Sequence, residues 1–248
     1  MRPLTLSPRG ISLASIMTAL VAVSTLALQV YIPHTKGYFN IGEVMLYFSA
    51  LMFGPLIGGI SGGLGSAIAD LVSGYAHYAI GTLIIKGVEG VIVGLLGGFI
   101  RKFSGTLVRG LVVLAALTAS TLMFTIGSTY YSGHTEISLG LPYLGYSSLT
   151  VFIPVTFWAL PASVLFIMLV YTTLKGDVRA MSYGLASLIG GIEMVTGYFL
   201  YEFYVLSFGW AALAEVPFNI CQVLVGALLA PIIVRGISKA IPGTPPKV

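Results

Sequence analysis

The sequence predicts an all-α polytopic membrane bundle of about eight spans, and three observations predict it. Hydrophobic residues make up 57% of the 248-residue chain and charged residues only 8%, about a third of the charge of a soluble domain. The long apolar runs do not alternate with period two, as barrel strands would. Ten of the twelve basic residues fall on one side of an eight-span arrangement. A surface so poor in charge cannot face water over most of its area. A soluble enzyme, a disordered chain and a nucleic-acid binder are therefore excluded; a net charge of +4 forms no basic stripe.

A helix crosses the hydrocarbon core in about 20 residues. The first span is read over 11–31. Arg2 and Arg9 precede it as in a secretory leader, but the apolar stretch is too long and lacks a small-x-small exit. Ala14, Thr18 and Ala22 recur along it at the spacing that lets helices approach closely, with Ser15 and Ala19 beside them. The second and third spans, 41–54 and 56–73, meet at a tight Gly54-Pro55 turn. The fourth covers 79–100. Gly59/Gly63 and Gly90/Gly94 give the third and fourth the same small-residue spacing. The remaining spans are 110–130, 151–173, 183–203 and 211–234, with an outer loop near 131–150. No composition shift marks a second domain, so 1–248 is one membrane domain.

Orientation follows from the basic residues. With both termini cytoplasmic, Arg2, Arg9, Arg101, Lys102, Arg109, Lys175, Arg179, Arg235, Lys239 and Lys247 lie inside. Lys36 lies outside, and Lys86 lies within a span.

Ionisable groups within spans are functional suspects. Lys86 stands about 10 Å below the outer end of its helix, at about 1.5 Å per residue. Glu89, three residues on, shares its face. A self-neutralising Lys86–Glu89 pair and a charged contact to a ligand are both open. Glu193 is mid-span and Glu202 near an outer end. Glu215 opens the last span, followed by Asn219 and Gln222, whose amides share one face. Asp70 suits a helix-end hydrogen bond, and Glu43 a helix N-terminus. Tyr38, Asn40 and Tyr75 come from two aromatic outer loops. An outward-opening pocket unites Tyr38, Asn40, Tyr75, Lys86, Asn219 and Gln222. His34, His77 and His134 lack metal-ligand spacing, and Cys221 reads as a packing thiol. No H-E-x-x-H, paired intramembrane aspartates, dinucleotide loop or Walker A motif occurs.

Three stretches together resemble the substrate-binding S components of energy-coupling factor (ECF) transporters. They are Gly37-Tyr38-Phe39-Asn40-Ile41-Gly42-Glu43 continuing to Gly59; Gly65-Ser66-Ala67-Ile68-Ala69-Asp70-Leu71 through Lys86-Gly87 and Gly90; and Gly197-Tyr198-Phe199-Leu200-Tyr201-Glu202 with Glu215-Val216-Pro217-Phe218-Asn219, Gln222 and Gly226. The resemblance covers 11–100 and 183–238, a six-helix core interrupted by an inserted helical pair at about 105–180. It implies a non-enzymatic, multi-pass cell-membrane receptor for a water-soluble vitamin or precursor, with riboflavin first and a thiamine precursor as the alternative. It implies partners as well: a T component and two ATPase subunits, which hydrolyse the ATP, so that the chain has no cofactor of its own. It also implies docking through Ala14, Thr18 and Ala22, gating by 32–40, and a substrate site at Tyr38, Asn40, Tyr75, Lys86, Asn219, Gln222 and Glu193. A self-sufficient secondary transporter with Lys86, Glu89 and Glu193 as a proton relay is a rival, though no inverted repeat is evident. A membrane enzyme using Glu193 or Glu215, and a scaffold without a ligand, are the others.

Overall fold

A computed structural model describes residues 7–32, 34–100, 102–141, 145–175 and 178–240. Arg2, Arg101 and Lys247 of the orientation argument lie outside them.

Eight α-helices form among the described residues, in the order the apolar runs predict. Helix α1 (Pro8–Ala27) starts where the Ser7 hydroxyl accepts the Gly10 N–H, with Pro8 in the first turn. Helix α2 (Glu43–Phe53) is short. Gly54, at φ +91°, reverses the chain directly into α3 (Pro55–Val72). Then follow α4 (Ala76–Ile100), α5 (Gly105–Tyr130), α6 (Ala159–Lys175), α7 (Val178–Leu200) and α8 (Val216–Ala240). Six helices are long and apolar enough to cross a membrane; α2 and the α6 segment are shorter.

The exterior is apolar, as lipid requires, and the charged groups within the spans are held inside an otherwise apolar core. Leu64, Ile80, Leu95, Leu114, Leu160, Ile167 and Ile192 point outward, while Glu43, Asp70, Lys86, Glu89, Glu202 and Glu215 are buried. Helices α3 and α4 make the tightest seam. A Cβ on Gly90 would lie 2.4 Å from the Gly58 carbonyl oxygen, and one on Gly63 2.6 Å from that of Leu83. Only glycine permits this backbone contact. Helices α1, α2, α7 and α8 complete the packing around that seam; α5 packs along α7 and α8, and α6 pairs with α5.

Sequence reasoning missed the β-structure at one end of the bundle. Strand β1 (Val30–Ile32) pairs antiparallel with β2 (Gly37–Phe39). The segment read as a loop near 131–150 is a hairpin of β3 (Gly133–Leu141) and β4 (Gly145–Ile153). Strand β3 pairs with β1, giving the order β2-β1-β3-β4. The sixth helix therefore begins at Ala159, not at 151. Residues Leu149-Thr150-Val151-Phe152-Ile153 are β-branched or aromatic at four of five positions and favour a strand. Pro154 then ends the ladder, and a single 3₁₀ turn (Val155–Trp158) leads into α6. The eighth span likewise opens with a 3₁₀ segment, Gly209–Glu215, before α8.

Gly90→Ala is expected to lower the melting temperature of the purified protein, because overpacking costs about 1–3 kcal/mol. Gly110→Ala, where a Cβ meets nothing within 4 Å, is expected to leave it unchanged or raise it. A thermal unfolding comparison in detergent checks both.

Candidate functional site

A cavity of about 380 Å³, counting its open mouth, lies beneath the β1–β2 hairpin. Its walls come from α1 (Thr25), the hairpin (Gly37, Tyr38, Asn40), α3 (Ser66, Asp70), α4 (Tyr78, Thr82, Lys86), α7 (Tyr198) and α8 (Asn219, Gln222), with Glu215 just before α8.

The hairpin is held down at named points. The Asn40 N–H donates to Gln222 Oε1 at 2.8 Å, and Gln222 Nε2 donates to Asn219 Oδ1 at 2.7 Å. Asn40 Oδ1 accepts the Gly42 N–H at 2.8 Å, which fixes the entry to α2. The Tyr38 hydroxyl donates to Asp70 Oδ1 at 2.6 Å. Burial, reinforced by Asp70, holds the Tyr38 phenol well above its usual pKa, so it remains a donor at neutral pH. Gly37 lies against the Glu215 carboxylate, with room for no Cβ: its nearest oxygens would be 2.6 Å away.

Below the cavity is an ion cluster. The Lys86 ammonium donates to Glu43 and, at 3.1 Å, to Glu89 Oε2; Tyr47 donates to Glu89 Oε1 at 2.6 Å. All four side chains are buried. Lys86 also stands 5.5 Å from the centre of the Tyr198 ring. The Lys86–Glu89 pair raised by the sequence is thus one side of a triad. Its other side, Glu43, is a buried ion partner rather than simply a helix-start acid.

A second polar group faces the hairpin. The Tyr78 hydroxyl lies 2.9 Å from the Thr35 carbonyl oxygen, 3.3 Å from Glu202 Oε1 and 3.5 Å from Glu215 Oε2. One hydroxyl proton serves only one of these three acceptors.

The structure brings together Tyr38, Asn40, Lys86, Asn219 and Gln222 in the cavity wall. Tyr75 stands behind Tyr38, with ring centres 4.6 Å apart. Glu193 is half-buried on α7 and does not line the cavity. Ala14 and Ala22 are buried and Thr18 half-buried, on the α1 side turned to α3, where Gly65 meets the Thr18 carbonyl. They are not offered to a partner in this conformation; the outward small residues of α1 are Ser12, Ser15 and Ala19. Sequence reasoning passed over Thr25, Ser66, Tyr78, Thr82 and Tyr198 as wall residues, and gave Asp70 only a helix-end role. Asp70 carried the usable signal, as an acid inside an apolar run. Among the described residues, no three His, Cys, Asp or Glu side chains group to hold a metal.

A family model described as the S component of the ECF-type riboflavin transporter matches residues 5–135, a little over half of the chain. The match runs through α5, beyond residue 100 where the resemblance in the sequence was drawn to pause. A Pyrococcus woesei protein described as an uncharacterized protein in the gap 3' region is 38% identical over 122 residues, 47% of this chain and 82% of the relative.

Lys86→Met is expected to destabilise the protein by about 3–5 kcal/mol, because it leaves two buried carboxylates without their cation. Combining it with Glu43→Gln and Glu89→Gln is expected to recover most of that loss. Unfolding midpoints of the single and triple variants check the triad's role.

Proposed function

The chain belongs to the ECF-type riboflavin transporter S-component family, and from that premise we propose how it works as a substrate-binding transporter subunit. It captures a water-soluble vitamin or vitamin precursor in the cavity beneath the β1–β2 hairpin. It delivers that solute to an importer whose ATP is hydrolysed by partner ATPases. Riboflavin, the ligand in the family's name, and a thiamine precursor are the two candidates.

One observation carries the reading: the hairpin that roofs the cavity is fastened to the cavity's own wall. Asn40 is tied to Gln222 and Tyr38 to Asp70. Breaking these two contacts frees the roof, and a ligand that replaces them on entry closes it again. Tyr38, Tyr78 and Tyr198 supply ring faces, and Asn219 and Gln222 supply amides. In this closed conformation the enclosed space is only about 30 Å³, so a ring-bearing solute fits only once the roof is freed and the walls part. The side of the bundle bearing the hairpin is the outer side, since Arg9, Lys102, Arg109, Arg235 and Lys239 all belong to the opposite helix ends.

Docking to the T component is assigned to the outward face of α1. Ser15 and Ala19 are small and exposed there, and small residues let a partner helix approach closely.

Ala19→Trp is expected to abolish co-purification with the T component and ATPases while leaving solute binding within about twofold, since the side chain points away from the bundle. Uptake of labelled solute into proteoliposomes is expected only when the T component and ATPases are present. Uptake by the chain alone would favour the secondary-transporter reading.

A further inference from the structure

The polar groups around the cavity are unbalanced in one direction. Five carboxylates are buried in this part of the bundle: Glu43, Asp70, Glu89, Glu202 and Glu215. One ammonium, Lys86, is buried with them, and it is engaged by Glu43 and Glu89. Among the described residues, Asp70, Glu202 and Glu215 have no ion pair at all. Lys36, the basic residue of the hairpin, is exposed.

Hydrogen bonding shows the same deficit. Asp70 lines the cavity and is 3% exposed, yet its Oδ2 has no hydrogen-bond partner. Glu202 Oε2, also buried, has none either. The Tyr78 hydroxyl lies between Glu202 and Glu215, and the Thr35 carbonyl competes for its proton. Carboxylates withdrawn from water need a cation or several donors to stay charged. Here Asp70 Oδ2 lines the cavity with neither, and a cationic donor on the ligand would satisfy it.

Resting on the receptor reading, we infer that the ligand carries a positive charge beside an aromatic ring, as an organic ammonium or a charged heterocycle. Asp70 and Glu215 are its charge partners. Tyr38, Tyr78 and Tyr198 surround it, and the faces of such rings attract cations. Lys86 does not repel it, because two carboxylates already neutralise that ammonium. A neutral flavin would leave Asp70 Oδ2 without a counter-charge.

The test uses the full chain in detergent and three probes: riboflavin, which is neutral, and the aminomethyl and hydroxymethyl forms of the thiamine pyrimidine. At neutral pH the aminomethyl form is an ammonium and the hydroxymethyl form is neutral. Isothermal titration is expected to show the ammonium binding at least roughly tenfold tighter than its neutral counterpart, the scale of a hydrogen bond to a charged group. Asp70→Asn and Glu215→Gln are each expected to erase that preference. In the absence of ligand, both variants are expected to melt at or above the wild-type temperature, because carboxylates kept for a ligand destabilise the empty site. Tighter binding of riboflavin or of the hydroxymethyl form overturns the inference and leaves the receptor reading standing. If no probe binds, the ligand-free comparison decides: variants less stable than the wild type overturn the inference, and variants as stable or more stable support it. Failure of the wild-type chain to assemble with the T component would instead count against the receptor reading.

Discussion

Lys86 is the group on which the polar interior depends. A lone charge at this depth in a bilayer is strongly unfavourable. Lys86 is held because Glu43 from α2 and Glu89 from its own helix meet it, and Tyr47 orients Glu89 from the far side. The triad crosses from α2 to α4, so it fixes where α2 starts. That start fixes the Asn40–Gly42 corner and so the root of the β1–β2 hairpin. The roof of the cavity is thus positioned from below by an ion cluster and from the side by Gln222.

Glycine makes this arrangement sterically possible. Gly62 sits against Leu46 and the Lys86 carbonyl, and Gly226 against the Tyr47 ring and the Glu43 stem. Side chains at these positions would push α3 or α8 away from α2 and open the cluster to lipid. Gly37 does the same at the roof, where it rests on Glu215. Small residues and buried charges are therefore two parts of one device: the first brings backbones close, and the second is tolerated only when they are close.

The helices were legible because lipid imposes a length and a composition on each span. Charged residues inside apolar runs were legible for the same reason, which is why Lys86 stood out. Its second partner was not, because Glu43 is 43 residues away in sequence and sits where a helix start already explains an acid. Which small-residue face of α1 is buried was ambiguous for a geometric reason. Ala14/Thr18/Ala22 and Ser12/Ser15/Ala19 both have helical spacing, and only the position of α3 decides which set is buried. The β3–β4 hairpin was missed because hydropathy alone reads Val151–Ile153 as more of the following span. Its place in the sheet depends on β1, more than a hundred residues earlier, which no local pattern reveals.

Native mass spectrometry of the chain purified from its own membranes addresses the receptor reading most directly. The expected result is one small organic molecule per chain, released when Gln222 and Asn219 are both replaced by alanine. A chain that carries only lipid, or that keeps its small molecule unchanged in the double variant, would contradict a solute site beneath the hairpin.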